Sequence, residues 1–155
     1  MEDIKKLMAE IEYQEKMLVF DHFNSQVAWE LGELIHKRSK VWCFDIRVFD
    51  TKLLHYISDG FGPNADRWLE GKYNSVKQIK HASLYFFCRL KLNPDRTPES
   101  YFMPTGECGA RGGGFPIIVK NVGVIGALSI TGGTDHIMEH NEAVAVISEY
   151  LGITL

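Results

Sequence analysis

The sequence lacks most of the features that announce a membrane, secreted or nucleic-acid-binding protein. No apolar run is long enough to span a bilayer. Its first residues, MEDIKKLMAEIEYQEKML, are charged throughout and do not read as a secretory signal. No block of like charges occurs, and the formal net charge is -3, which argues against nucleic acid or an anionic membrane as the main partner. Cysteine is scarce. Cys43, Cys88 and Cys108 are odd in number, widely spaced and form no CxxC pair, which favours reduced thiols in a cytosolic protein over a disulfide framework or zinc ribbon.

Several catalytic signatures are missing as well. Gly112-Gly113-Gly114 is followed by Phe-Pro and a strand rather than by Lys-Ser/Thr and a helix, so neither a phosphate loop nor a dinucleotide fingerprint fits. There is no GxSxG. His136 and His140 share a helical face, but the order His-Ile-Met-Glu-His is not HExxH, and a half-buried, satisfied His140 outweighs a metal ligand there. Cys108 has only Arg111 nearby to activate it.

What is present is an ordinary globular chain of 155 residues, 45% hydrophobic and 24% charged, enough for one domain with one core. Ile4, Leu7, Met8 and Ile11 form one apolar helical stripe, and Val27, Ala28, Leu31, Leu34 and Ile35 form a second, with Asn24 or Ser25 as its cap. VWCFDIRVFD alternates and predicts a half-buried strand, with Asp45 and Arg47 opposite Phe44, Ile46 and Val48. A turn at Asp50-Thr51-Lys52 leads to a second strand, LLHYIS, and a helix is expected from near Asn64. Residues 93–114 read as a long loop. Phe115–Lys120 and Gly123–Thr131 form a second hairpin across Asn121-Val122, and a last helix runs from near Thr134 or Asp135 to Gly152. Two hairpins among helices predict an antiparallel sheet in an α+β domain. The segment HASLYFFCRLKL fits either helix or strand.

Glycine is dense from Gly109 to Gly133. Gly132-Gly133 leads from a strand into the last helix, where free backbone N–H groups would suit an anion, although a cap from Thr134 or Asp135 is the better reading.

GGGFPIIVKNVGVIGALSITGG resembles the signature of the GlcG/HbpS-like proteins, the haem-degrading domain family. The match falls on Gly113, Gly114, Phe115, Pro116, Gly123, Val124, Gly126, Ser129 and Gly132. FDHFNSQVAWELG, together with Trp68, Lys72, Val76, His81 and Ser83, is similar to the branch of small uncharacterised proteins in that family. The resemblance spans most of the chain. It implies a single profilin-like α+β domain over residues 1–155, with a helix over the ambiguous segment from Ser83. It also implies assembly into a ring or stacked oligomer and binding of haem or a related tetrapyrrole near subunit contacts. No axial ligand transfers from it.

The expected function is therefore a cytosolic, homo-oligomeric haem-binding protein. Haem needs an apolar slot, a cation for its propionates and an imidazole. Phe115 would supply the slot, Arg111 the cation, and His140 or His81 the imidazole, with Gly113 and Gly114 shaping the rim. Gly126 and Ala127 are expected to let a helix or a second subunit approach a central pair of strands. The alternative is an oligomeric assembly module with no cofactor but a protein partner. A third possibility, an enzyme on a small polar metabolite, lacks an acid–base pair at diagnostic spacing.

Overall fold

A computed structural model describes all residues, 1–155. Helices α1 (Glu2–Met17) and α2 (Ser25–Arg38) lead into a hairpin of β1 (Cys43–Val48) and β2 (Thr51–Tyr56). Helices α3 (Pro63–Ile79) and α4 (Ser83–Leu92) follow, then a loop with two 3-10 turns at Pro98–Tyr101 and Thr105–Glu107. The second hairpin is β3 (Gly114–Val119) and β4 (Gly123–Thr131), and α5 (His136–Leu151) closes the chain. The four strands form one antiparallel sheet in the order β2-β1-β4-β3. No helix is long and apolar enough to cross a membrane.

The caps follow the local chemistry. The Asn24 side chain accepts the Val27 N–H at 2.9 Å, and Asp135 accepts that of Met138 at 2.9 Å. Gly152 ends α5 in the left-handed region at φ 68°. The ambiguous segment is helix, as the family resemblance implied.

Phe44, Ile46, Phe115, Ile117, Leu128 and Ile130 point to one face of the sheet, where α1, α2, α4 and α5 complete the main core. Helix α3 alone covers the other face, with Leu69 against Cys43 and Tyr73 and Val76 against Ala127. This corrects the half-buried reading of β1. Asp45 is completely buried and Arg47 nearly so, because α3 lies over the face that alternation assigned to solvent. The Asp45 carboxylate accepts two hydrogen bonds from Arg47, at 2.9 and 3.1 Å.

Two further expectations shift. The first hairpin turns at Phe49-Asp50, one residue early, with φ of 50° and 64°, and the Tyr73 hydroxyl receives the Asp50 N–H at 2.8 Å. The centre of the sheet is β1 with β4, while β3 is an edge partly covered by Phe20, whose N–H donates to the Ile118 carbonyl at 2.8 Å. Ala127 does admit a helix, but Gly126 is required by the neighbouring strand, since a side chain there would strike the Arg47 carbonyl.

Candidate functional site

The α3 face of the sheet is unusually polar for an interior. Lys72 sits on the same α3 stripe as Leu69, Tyr73 and Val76 and is 1% exposed. Its ammonium donates to the Ile130 carbonyl at 2.8 Å and to Glu139 Oε1 at 2.9 Å. Glu139 Oε2 accepts the backbone N–H groups of Gly132 at 2.8 Å and Gly133 at 3.0 Å, and the Thr131 hydroxyl at 3.3 Å. Asp135 caps α5, as preferred from the sequence, and the free N–H groups of the Gly132-Gly133 turn are taken by the protein's own Glu139 carboxylate, in the first turn of α5 where the helix dipole favours it. Burial lowers the Lys72 pKa against the opposing pull of Glu139, and the nearby Arg111 adds to the lowering.

The glycine run makes this arrangement fit. Gly113 has φ 127°, and a Cβ there would meet the Ile130 carbonyl and come within 2.8 Å of Lys72 Nζ. Gly114 donates its N–H to Ser83 Oγ at 2.9 Å. Gly112 donates its N–H to His136 Nδ1 at 2.8 Å, so the neutral His136 ring carries its proton on Nε2. Burial, followed by Arg111, lowers the His136 pKa. Outside the ion pair lies a cavity of about 180 Å³, lined among others by Trp68, Lys72, Arg111, Thr131, His136 and Glu139. Arg111 is exposed, forms no ion pair, and rests over the Phe87 ring at 5.6 Å.

The six residues expected to share one haem slot lie in three places. Arg111 lines the Lys72 cavity, with Gly113 packed beneath against Lys72 and Ile130 and Gly114 against Lys72 and Ser83. Phe115 and His140 lie in the main core, 0% and 1% exposed, with ring centroids 5.9 Å apart. The strand pleat explains the split, since Gly114 and Phe115 point to opposite faces. His140 Nε2 is 2.8 Å from Gln14 Oε1, its Nδ1 has no partner, and burial pushes its pKa down to about 4. No group of three or more metal-ligating side chains forms around it or elsewhere.

His81 lies apart, at the start of α4. Its Nδ1 is 2.6 Å from Glu15 Oε1, and the other Glu15 oxygen accepts the Ala82 N–H at 2.7 Å. Glu15 therefore caps α4 from another helix and orients His81 at once. The His81 ring stacks on Tyr85 at 4.2 Å and 18°, and Arg89 lies 5.1 Å over the same Tyr85 ring.

Sequence reasoning missed Glu15, Arg89 and the role of Lys72. The signal for Lys72 was its position on an otherwise apolar helical stripe. Glu15 gave none, because its partners lie in another helix.

A single four-stranded antiparallel sheet, with one helix on one face and four on the other, defines a small α+β protein class that includes HbpS, against whose crystal structure the chain aligns with a TM-score of 0.67, at 15% identity over 84% of this chain and 91% of that one. The chain belongs to the HbpS-like family, described as haem degrading protein HbpS-like, which matches residues 23–148. It is 30% identical over 154 residues to a UPF0303 protein of Paraburkholderia phymatum, covering 97% of this chain and 93% of that one. A UPF0303 protein of Streptomyces coelicolor is 31% identical over 149 residues, covering 94% of each chain. The crystal structure of the Ybr137w protein aligns with a TM-score of 0.83, at 23% identity over 94% of this chain and 89% of that one.

Proposed function

We propose that the protein binds haem, or a related iron tetrapyrrole, as a cytosolic homo-oligomer, with His81 Nε2 as the imidazole ligand. The observation that carries this reading is the 2.6 Å hydrogen bond from His81 to Glu15. It puts the ring proton on Nδ1 and leaves the Nε2 lone pair free on a side chain that is 30% exposed. A histidine that donates its second nitrogen to a carboxylate is held in one tautomer and one orientation, as metal-ligating histidines commonly are. His140 suits the task less, being buried with Nε2 engaged, and His136 presents an N–H rather than a lone pair.

Tyr85 and Arg89 lie four residues apart on one face of α4, and His81, just before the helix, stacks on Tyr85. Arg89 would meet a propionate there, and Tyr85 would steady the imidazole. Bound iron would supply the redox and ligand-exchange chemistry. His81, Tyr85 and Arg89 line none of the main cavities, so the apolar slot that haem needs would have to be completed by a second copy of the chain. That requirement links ligand binding to self-association.

A second reading, an assembly module without a cofactor, is favoured by an apolar groove of about 380 Å³ between α2 and the edge strand β2. Trp29, 55% exposed, stands at its rim beside Leu54 and Tyr56. One experiment separates the two: titrate the purified protein with hemin while measuring its mass by light scattering. The haem reading expects a Soret shift that saturates at a simple ratio per subunit on a defined oligomer and is lost in His81→Ala but kept in His140→Ala. A weak, unsaturable shift on the same oligomer favours the assembly module.

A further inference from the structure

We infer that the cavity between α3 and the start of α5 is a separate ligand site, built for a short-chain monocarboxylate anchored on Arg111. It lies across α4 from the His81 surface, since Arg111 and His136 pack on Phe87 whereas His81 and Arg89 pack on Tyr85.

The lining holds two cations, Lys72 and Arg111, and two carboxylates, Glu139 and Asp135, so an anion is selected by how these charges are paired and not by their sum. Glu139 is the carboxylate nearest the cations, and both its oxygens are committed, one to Lys72 and the other to Gly132, Gly133 and Thr131. Asp135, on the rim, already accepts the Met138 N–H. Arg111 is left with no counterion, and its charge disfavours those of both Lys72 and His136. An anion at the mouth would relieve all three. Guanidinium is the side chain that pairs with a carboxylate through two parallel hydrogen bonds. The Nε2–H of neutral His136 adds a donor, and Trp68 supplies an apolar wall for a short carbon chain.

Size and sign narrow the class further. At about 180 Å³ the cavity is well below the roughly 300–1,000 Å³ of drug-sized ligand pockets and suits about two to four carbons. The carboxylates of Glu139 and Asp135 in the lining disfavour a dianion such as phosphate.

Isothermal titration of the tetrapyrrole-free full chain with sodium acetate and sodium butyrate, at constant ionic strength, tests this. The expected result is saturable binding at one site per chain for at least one of the two. In Arg111→Gln it should weaken by about tenfold or more, while Arg96→Gln, at an exposed arginine elsewhere, should match the wild type. Arg111 is exposed and unpaired, so its variant should keep the wild-type unfolding midpoint, which the same samples report. Absence of saturable binding for both acids, equal binding in Arg111→Gln, or tighter binding of phosphate would each overturn the assignment. No haem is present in these titrations, so their outcome is independent of the hemin experiment.

Discussion

Glu139 Oε1 lies 2.9 Å from Lys72 Nζ, and the pair joins the first turn of α5 to the middle of α3 through a buried contact. Removing one partner of a buried pair strands the other, at a cost of about 3–5 kcal/mol. The two partners are not equivalent. Glu139→Ala also frees two backbone N–H groups, whereas Lys72→Met leaves Glu139 with its turn contacts. Urea unfolding should therefore give midpoints that fall from wild type to Lys72→Met to Glu139→Ala. Equal losses in the two variants would mean that the turn contacts contribute nothing.

His140 makes stability depend on pH. Folding depresses its pKa from 6.5 to about 4, so the neutral ring is the form the fold accepts. Its contribution is complete above about pH 6.5 and is lost as the pH falls toward 4, amounting to about 3 kcal/mol over that window. In His140→Gln the unfolding free energy should be flatter between those values than in the wild type. An identical slope in both proteins would remove His140 from the account.

Gly113 and Gly123 both have positive φ, of 127° and 109°, but only Gly113 is crowded. Gly123→Ala meets open space and should cost about 1 kcal/mol in backbone strain. Gly113→Ala adds a collision with the Ile130 carbonyl and the Lys72 ammonium and should cost about 3 kcal/mol or more. Thermal unfolding of the two variants checks the order.

Phe49 is a bulky residue in the left-handed region, 73% exposed, at the first turn position of the β1–β2 hairpin. Two-residue turns of this geometry favour Asn or Gly. Phe49→Asn should stabilise the protein by about 0.5–1 kcal/mol, because it relieves strain and removes little packing. A lowered unfolding midpoint would show that the exposed ring has a partner to keep.

The strands and helices were legible because apolar spacing is a local property. Two hairpins, the Asn24 and Asp135 caps and the Gly152 stop all follow from neighbouring residues. What covers each face of a strand is not local. Asp45 and Arg47 alternate with Phe44 and Ile46 as a solvent face would, and only the path of α3 buries them. The same holds for the sites. Arg111 and the glycines stand out in the sequence, whereas Lys72 and Glu139 are far apart along the chain and acquire meaning only as a pair. His140 and His81 look interchangeable on paper. Gln14 and Glu15, adjacent on α1, give them opposite proton positions, leaving His140 closed and His81 open.

The pairing of β1 with β4 sets when the protein can become whole. Its central ladder joins the first third of the chain to the last, and Phe20 waits for β3 to arrive beside it. The β1–β2 hairpin and α3 can form early during synthesis, with α3 over Asp45 and Arg47, yet the free edge of β1 and the apolar face of Phe44 and Ile46 lack their β4 and α5 partners until residues 114–151 emerge. Contacts so distant along the chain are slow to close. The nascent protein therefore carries an unfinished sheet edge from the time β1 emerges until β4 does, about half of its translation, a period in which a chaperone has most to grasp.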